Sequence, residues 1–521
     1  MSPSKVPPRI IWWPALVLLG FISLTLAITL LDPTRSFQQR NLTFLGIAVG
    51  YAPLLLIWWG ILSNAPRAWR LTGVFTALSV VALVASSFRV TGVSGDLRPI
   101  LESRWMFPRT NTRNPPDAAA PAPSTVLAPA VPRAFPHFLG PHADLSIRGI
   151  RLQPDWETHP PALLWRQPVG PAWSGFVVSN GLAFTQEQDG DQESVCALDL
   201  LTGNRVWEQR HPGRYATTIA GEGPRSSPTL ANGRLFTLGA TGTLSAFSPT
   251  NGTLLWRVSL TELANSRVPE WGFASAPLVV SNQVIVLAGG PKPVRSFDVA
   301  TGNPLWASGD AGSNYGSVSL VEIHGTPQLL FFGSRSINAL DPADGRILWK
   351  HPFGTGMPLV AHPILIPPNR IVVSAGYGVG AELIELSRTN ATDWVTQSVW
   401  ASKRLKAKFA NPVRLGDALY GLDDGILAGI RLESGESLWK EGRWGHGQGL
   451  LIDDLHLLMA ESGELVLLQP TPTGPNLRSR FPVFTAKTWN PIALAGDLLL
   501  VRNDREAACL RLATLPAKPS D

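Results

Sequence analysis

Hydrophobic positions follow two rules along this chain. Over residues 10–31, 42–62 and 71–88 they run almost unbroken, with no Asp, Glu, Lys or Arg. Each run is close to the ~20 residues that a helix needs to cross hydrocarbon. From about Leu164 to Leu512 the pattern changes to short apolar, β-rich runs such as Phe176-Val-Val and Leu182-Ala-Phe, punctuated by Asn180-Gly181, Asn232-Gly233, Gly416-Asp417 and Gly496-Asp497. Such dipeptides between apolar runs signal hairpins. The chain is therefore predicted to join three transmembrane helices to an all-β domain. Trp12, Trp13, Trp58, Trp59 and Trp69 fall near the ends of the apolar runs, where indole rings favour the headgroup boundary.

Inside the β region one unit recurs every 40 to 50 residues, the signature of a stacked supersecondary repeat. Its clearest copy is Ala197-Leu-Asp-Leu-Leu-Thr-Gly203-Asn-Arg-Val-Trp207: an apolar strand ending at Asp, a Gly turn, then a strand carrying Trp. Further copies end at Trp256, Trp306, Trp349 and Trp439, with a looser one at Trp400. The Asp and the Thr or Ser are expected to tie the turn, the Gly to supply φ > 0, and the Trp to pack between neighbouring sheets. Trp165 begins the series, and Phe481 falls where an eighth aromatic is due. Eight four-stranded blades follow. The terminal run Ala508-Cys-Leu-Arg-Leu512 lacks its own Trp strand and Leu163-Leu-Trp165 lacks a preceding blade, so the two are predicted to pair and close an eight-bladed β-propeller.

Domain boundaries follow from these patterns. Residues 1–90 form the membrane domain, 91–135 a Pro/Ala-rich linker that could hold the propeller away from a bilayer, 136–512 the propeller and 513–521 a disordered tail. Flanking charges divide: Lys5, Arg9, Arg67 and Arg70 favour a cytoplasmic N-terminus, while Arg35, Arg40, Arg89 and Arg98 oppose it. Three spans put the termini on opposite sides, which places the propeller outside the cytoplasm. A cleaved signal peptide does not account for residues 10–31, whose run exceeds the usual apolar core and is followed by two more.

Charge narrows the function classes. The net charge is +6, but residues 1–135 carry twelve Lys/Arg against four Asp/Glu, so the remainder is slightly acidic. The propeller is not a basic nucleic-acid surface. Cys196 and Cys509 give neither a disulfide framework nor metal-ligand spacing; both are expected to be buried free thiols.

The repeated Ala-Leu-Asp-x-x-Thr-Gly-x-x-x-Trp pattern resembles the pyrroloquinoline-quinone (PQQ) repeat family, which includes quinoprotein alcohol dehydrogenases and BamB-like outer-membrane assembly propellers. The lead-in Phe135-Pro-His-Phe-Leu-Gly-Pro-His142 is similar to the opening segment of many bacterial members. This resemblance implies either a scaffold with a protein partner in the cell envelope or a PQQ- and Ca²⁺-dependent oxidoreductase for alcohols or sugars, with a small-ligand sensor as a third reading. No adjacent cysteines and no Cys-x-x-Cys-His occur, so the quinone platform and the haem relay of many such enzymes are missing. The scaffold reading is preferred, in a multi-pass protein of a bacterial inner membrane with a periplasmic propeller.

Propeller ligands bind where inner strands converge on the axis. The residues that open each blade include Arg225, Trp271, Tyr315, Lys408, Lys487 and Trp489. With Glu187 they are candidates to hold a planar anionic molecule, the cations meeting carboxylates and the indoles stacking on its face. His362 and His446 are read as structural, since neither has a nucleophile or carboxylate near it in sequence.

Overall fold

The computed structural model describes residues 10–32, 35–105, 134–310, 314–390 and 393–516. They divide into two compact units, Met1–Thr110 and Asn111–Asp521. In the first unit three helices, α1 (Trp13–Leu31), α2 (Phe37–Ile57, continued as a π-helical turn over Trp58–Leu62) and α3 (Arg67–Ser87), are long and apolar enough to cross a membrane. Ser36 caps α2 with a reciprocal Ser–Gln39 box. Indoles tie the helix ends together: Trp58 Nε1 donates to Ile11 O at 3.0 Å and Trp59 Nε1 to Trp69 O at 3.3 Å. Strands β1 (Phe88–Val93) and β2 (Pro99–Ser103) form a hairpin where a linker is expected from residue 91. Asn41 and Arg98 anchor it, Asn41 Nδ2 donating to Asp96 O and Arg98 lying 4.5 Å above the Phe37 ring. Most of the Pro/Ala-rich stretch, residues 106–133, lies outside the described residues.

The second unit is an eight-bladed propeller of four-stranded antiparallel sheets, with one extra strand on the seventh. Blade 1 shows the plan: Val177–Ser179, Leu182–Asp189, Gln192–Asp199 and Arg205–Pro212, from axis to rim. In the eighth blade Glu506–Arg511 pairs with Ala162–Pro168 in the register Cys509↔Trp165 and Arg511↔Ala162, so the ring closes as the repeat requires. The two ends of the axis differ in kind. One, the hairpin end, carries the tight first-to-second strand turns and the Asp-Gly turns. The other, the mouth, carries the loops into each inner strand.

Each motif residue acts locally as expected. Asp199 Oδ1 accepts from Leu201 N, Thr202 N and Thr202 Oγ1, and Asp298 repeats the arrangement with Ala300 and Thr301. The Gly does more than supply φ > 0. A Cβ on Gly203, Gly252, Gly302, Gly345 or Gly435 would lie within 2.7 Å of the preceding blade's Trp ring. Its missing side chain is thus the seat on which that indole rests. The Trp N–H groups find backbone acceptors on the next blade, as in Trp256 Nε1 to Val299 O at 2.9 Å, or a glutamine, as in Trp349 to Gln328. The fifth blade, which has no Gly turn, follows Trp349.

Phe481 is not the eighth aromatic of the series. In blade 7 the register Leu467↔Ser479 places Ser479 where the other blades have Trp. Its hydroxyl donates to Pro154 O and accepts from Trp156 N, and Trp156, from the segment before the first Trp strand, is buried in the core there. The tail is also shorter than expected. Thr514 bridges Leu152 and Leu515 N donates to Arg151 O, so residues 513–516 are held; residues 517–521 lie outside the described residues. Both cysteines are buried, and neither forms a disulfide.

Candidate functional site

Loops at the mouth bring aromatic and charged side chains together from separate blades. Trp489 lies 5.0 Å from Trp173 and 5.0 Å from Phe409, and Phe409 lies 5.3 Å from His446. Lys487 places its Nζ 3.9 Å above the Trp489 ring and 4.8 Å from that of Trp173, so its charge faces two rings that pack on each other. Burial lowers the Lys487 pKa to about 8, against the opposing pull of Asp504 and Glu461. The indole N–H of Trp489 is buried and has no acceptor among the described residues. Buried donors are rarely left so.

A second arc adjoins the first. Arg225 stacks 4.1 Å over Tyr215 and donates to Ala220 O and Gly221 O, at 2.6 and 2.9 Å. Trp173 Nε1 donates to the same Ala220 O, which links the arcs. Trp271 stacks on Tyr315 at 4.9 Å and 27°, and its backbone N–H donates to Tyr315 Oη at 3.3 Å. Burial lowers the Arg225 pKa to about 10 and raises that of Tyr315. Lys408 is buried beside Tyr377, its Nζ 5.5 Å from the ring, and Gly376 leaves room for its stem.

Six of the seven candidates thus lie in mouth loops, in two arcs with Lys408 beside Tyr377. Glu187 lies elsewhere. It is fully buried where blade 8 meets blade 1, accepts from Gly170 N at 3.1 Å and pairs with Arg205 at 3.3 Å. Arg502 reaches the same junction, donating to Gly170 O, Gln186 O and Thr185 Oγ1 at 2.7 to 2.9 Å. Glu187 and Arg502 together hold both polar groups of Gly170, just past the closing strand.

Tyr215 and Tyr377 were not legible as site residues. Tyr215 belongs to an insertion around the short hairpin Ala216–Thr217 and Gly221–Glu222, and Tyr377 to a second-to-third strand turn. The long gap between Trp207 and Arg225 was the available signal for the first. His362 lies deeper than the mouth: its backbone N–H donates to Asn411 Oδ1 at 2.6 Å and its ring Nδ1 contacts Ser319 Oγ at 2.8 Å. Such side-chain bonds pin neighbouring inner strands around the axis, as Ser227 does at Gly175 and Ser317 at Ala276.

Comparison with known proteins agrees with the repeat. The family model described as outer membrane protein assembly factor BamB matches residues 192–441. The repeat domain is a PQQ-like propeller. BamB from Moraxella catarrhalis superposes with a TM-score of 0.50 at 13% identity, covering 67% of this chain and 97% of that one. Quinohemoprotein alcohol dehydrogenase from Comamonas testosteroni gives 0.52 at 13%, covering 75% and 82%. At such identities these likenesses are of fold. No curated protein sequence matches the chain.

PQQ-like propellers of the dehydrogenase kind hold a quinone beside a divalent cation. Among the described residues no three His, Cys, Asp or Glu side chains gather as ligands. What the mouth offers is a packed aromatic cluster of Trp173, Trp489 and Phe409 whose outer face can take an apolar group and whose Trp489 N–H lacks an acceptor among the described residues.

Proposed function

We propose that this protein is a membrane-anchored binding scaffold. Its PQQ-like propeller works on the extracytoplasmic side of a bacterial inner membrane and holds a protein partner at its mouth. The buried Trp489 N–H without an acceptor, inside an aromatic cluster capped by Lys487, carries the reading. A segment of the partner with an apolar side chain and an adjacent carbonyl or carboxylate meets both demands. The assembly-factor description of the matching family supports a protein partner over a metabolite, and three apolar helices support anchoring.

The second reading, an oxidoreductase for alcohols or sugars using PQQ and Ca²⁺, is favoured by the dehydrogenase-like fold and by the stacked aromatics at the mouth. One assay separates the two. Purified full-length protein is incubated with PQQ and Ca²⁺ and given alcohols or aldoses with an artificial electron acceptor. The scaffold reading expects no substrate-dependent dye reduction. Turnover that requires added PQQ would promote the oxidoreductase.

A further inference from the structure

At the hairpin end the axis does not close on its own residues. The lead-in segment crosses it: Phe135 bridges Val178 of blade 1, Pro136 O accepts from Leu230 N of blade 2, and Ser146–Ile147 adds a parallel strand to blade 7. Between this segment and the inner strands of blades 2 to 6 lies a cavity of about 850 Å³, within the range of small-molecule sites. It is separate from the mouth and shares none of its residues.

The lining sorts by chemistry. Leu320 lines the cavity at 44% exposure, and Leu230, Leu278 and Ile364 line it half-buried. These apolar side chains have no protein covering them on that side. The charged lining residues, Asp144, Arg148, Arg414 and Asp453, are all exposed, and Asp144 pairs with Arg148 at 2.6 Å. Deeper polar groups are uncharged: Ser317, Ser319, Asn411 and the imidazoles of His137 and His362. His362 Nε2 is buried without a hydrogen-bond partner, under the edge of Phe138 from the lead-in.

We propose that this cavity is a second binding site, for an uncharged small molecule with an apolar body and one hydrogen-bonding oxygen. Its body covers the inner-strand leucines, and a modest shift of Phe138 lets its oxygen meet His362 Nε2. An anion is disfavoured because no deep cation faces it. Burial holds the His137 and His362 pKa values to about 4 and about 3, so both rings stay neutral near pH 7.

Benzophenone, a neutral aromatic ketone that inserts into C–H bonds on illumination, serves as the probe. Full-length protein in lipid nanodiscs is labelled, digested and mapped by mass spectrometry. Saturable labelling is expected in residues 136–148 and 318–321, and a several-fold excess of diphenylmethanol, a neutral alcohol of similar shape, should suppress it. Labelling of the apolar helices should persist. Leu320→Trp, which projects an indole into the cavity where the probe's body would lie, should reduce propeller labelling at least fivefold without lowering the melting temperature of the propeller. The anionic 4-benzoylbenzoate should label the cavity at least fivefold less than benzophenone. Labelling confined to the helices, insensitivity to diphenylmethanol, or equal labelling by the anion would overturn the proposal. Should Leu320→Trp unfold the protein, the competition in wild type decides alone.

Discussion

The glycine of each repeat meets two demands that can be separated by mutation. Gly181 and Gly302 have nearly the same φ, +76° and +74°, but a Cβ on Gly181 meets nothing within 4 Å, whereas one on Gly302 meets the Trp256 ring at 2.7 Å. Gly181→Ala should cost about 1 kcal/mol for the left-handed backbone alone. Gly302→Ala should cost about 2–5 kcal/mol, because an indole must also shift in a packed core. Chemical denaturation of the two variants checks the difference. Equal losses would mean that the Trp seat contributes nothing. Lys487 makes a second residue-scale prediction. Folded, it releases its proton near pH 8, while an unfolded lysine holds it to about 10.4. Between those values the unfolded chain binds more protons, so stability rises with pH across that window, while below pH 8 the cost of burying the charge is present in full and does not change with pH. Asp504, Glu461, Arg225 and Arg505 surround it electrostatically and are left in place by Lys487→Met. That variant should lose part of the rise in denaturation midpoint between pH 8 and 10.

At the level of elements, every blade repeats one irregularity. The outermost strand bulges just before the Trp position, between partners such as Ala197/Leu198, Ala246/Phe247 and Cys509/Leu510. The bulge breaks the ladder and twists the rim strand away from a flat edge, which limits pairing with other chains. Phe481 was misplaced for another reason: blade 7 lacks the Asp-to-Trp motif, so only spacing located its aromatic, and Ser479 occupies the Trp position two residues earlier. Trp156, supplied from outside the repeat, left no periodic trace. The closing pair of strands was legible because each half lacked a partner in sequence. How the closed blade is fastened to its neighbour was not, since Arg502 and Glu187 are more than 300 residues apart. Arg502 is 1% exposed, and Arg502→Met would leave carbonyls of Gly170 and Gln186 buried without their donor. A loss of about 3 kcal/mol or more is expected. Because closure joins the two ends of the domain, limited proteolysis of this variant should cut first near residues 162–170. Cleavage spread evenly over all blades would contradict this role for the seam.

For the whole molecule, periodicity carried the architecture and little of the function. Eight blades, ring closure and three apolar helices follow from spacing and hydropathy, which are averages over many residues. The mouth depends instead on loops of irregular length, so the sequence pointed to Lys487 and Trp489 but not to how closely Trp173 and Phe409 pack against them. Glu187 looked like a site residue because an isolated acid in a strand has no visible partner until the ring is folded. Sidedness is a separate prediction: a periplasm-dependent reporter fused after Val90 should be active, and activity of a cytosol-only reporter there would reverse the orientation. The central claim, a scaffold that binds at its mouth, is tested most directly by site-specific photo-crosslinking in intact cells. A photoreactive residue is placed at Ile219, exposed on the hairpin beside Trp173, and in parallel at Leu305 on the rim. A discrete adduct is predicted from position 219 and not from 305, and Lys487→Glu combined with Trp489→Ala should reduce it at least fivefold at equal protein level. An adduct that forms equally from both positions, or that survives the double change, would contradict the account.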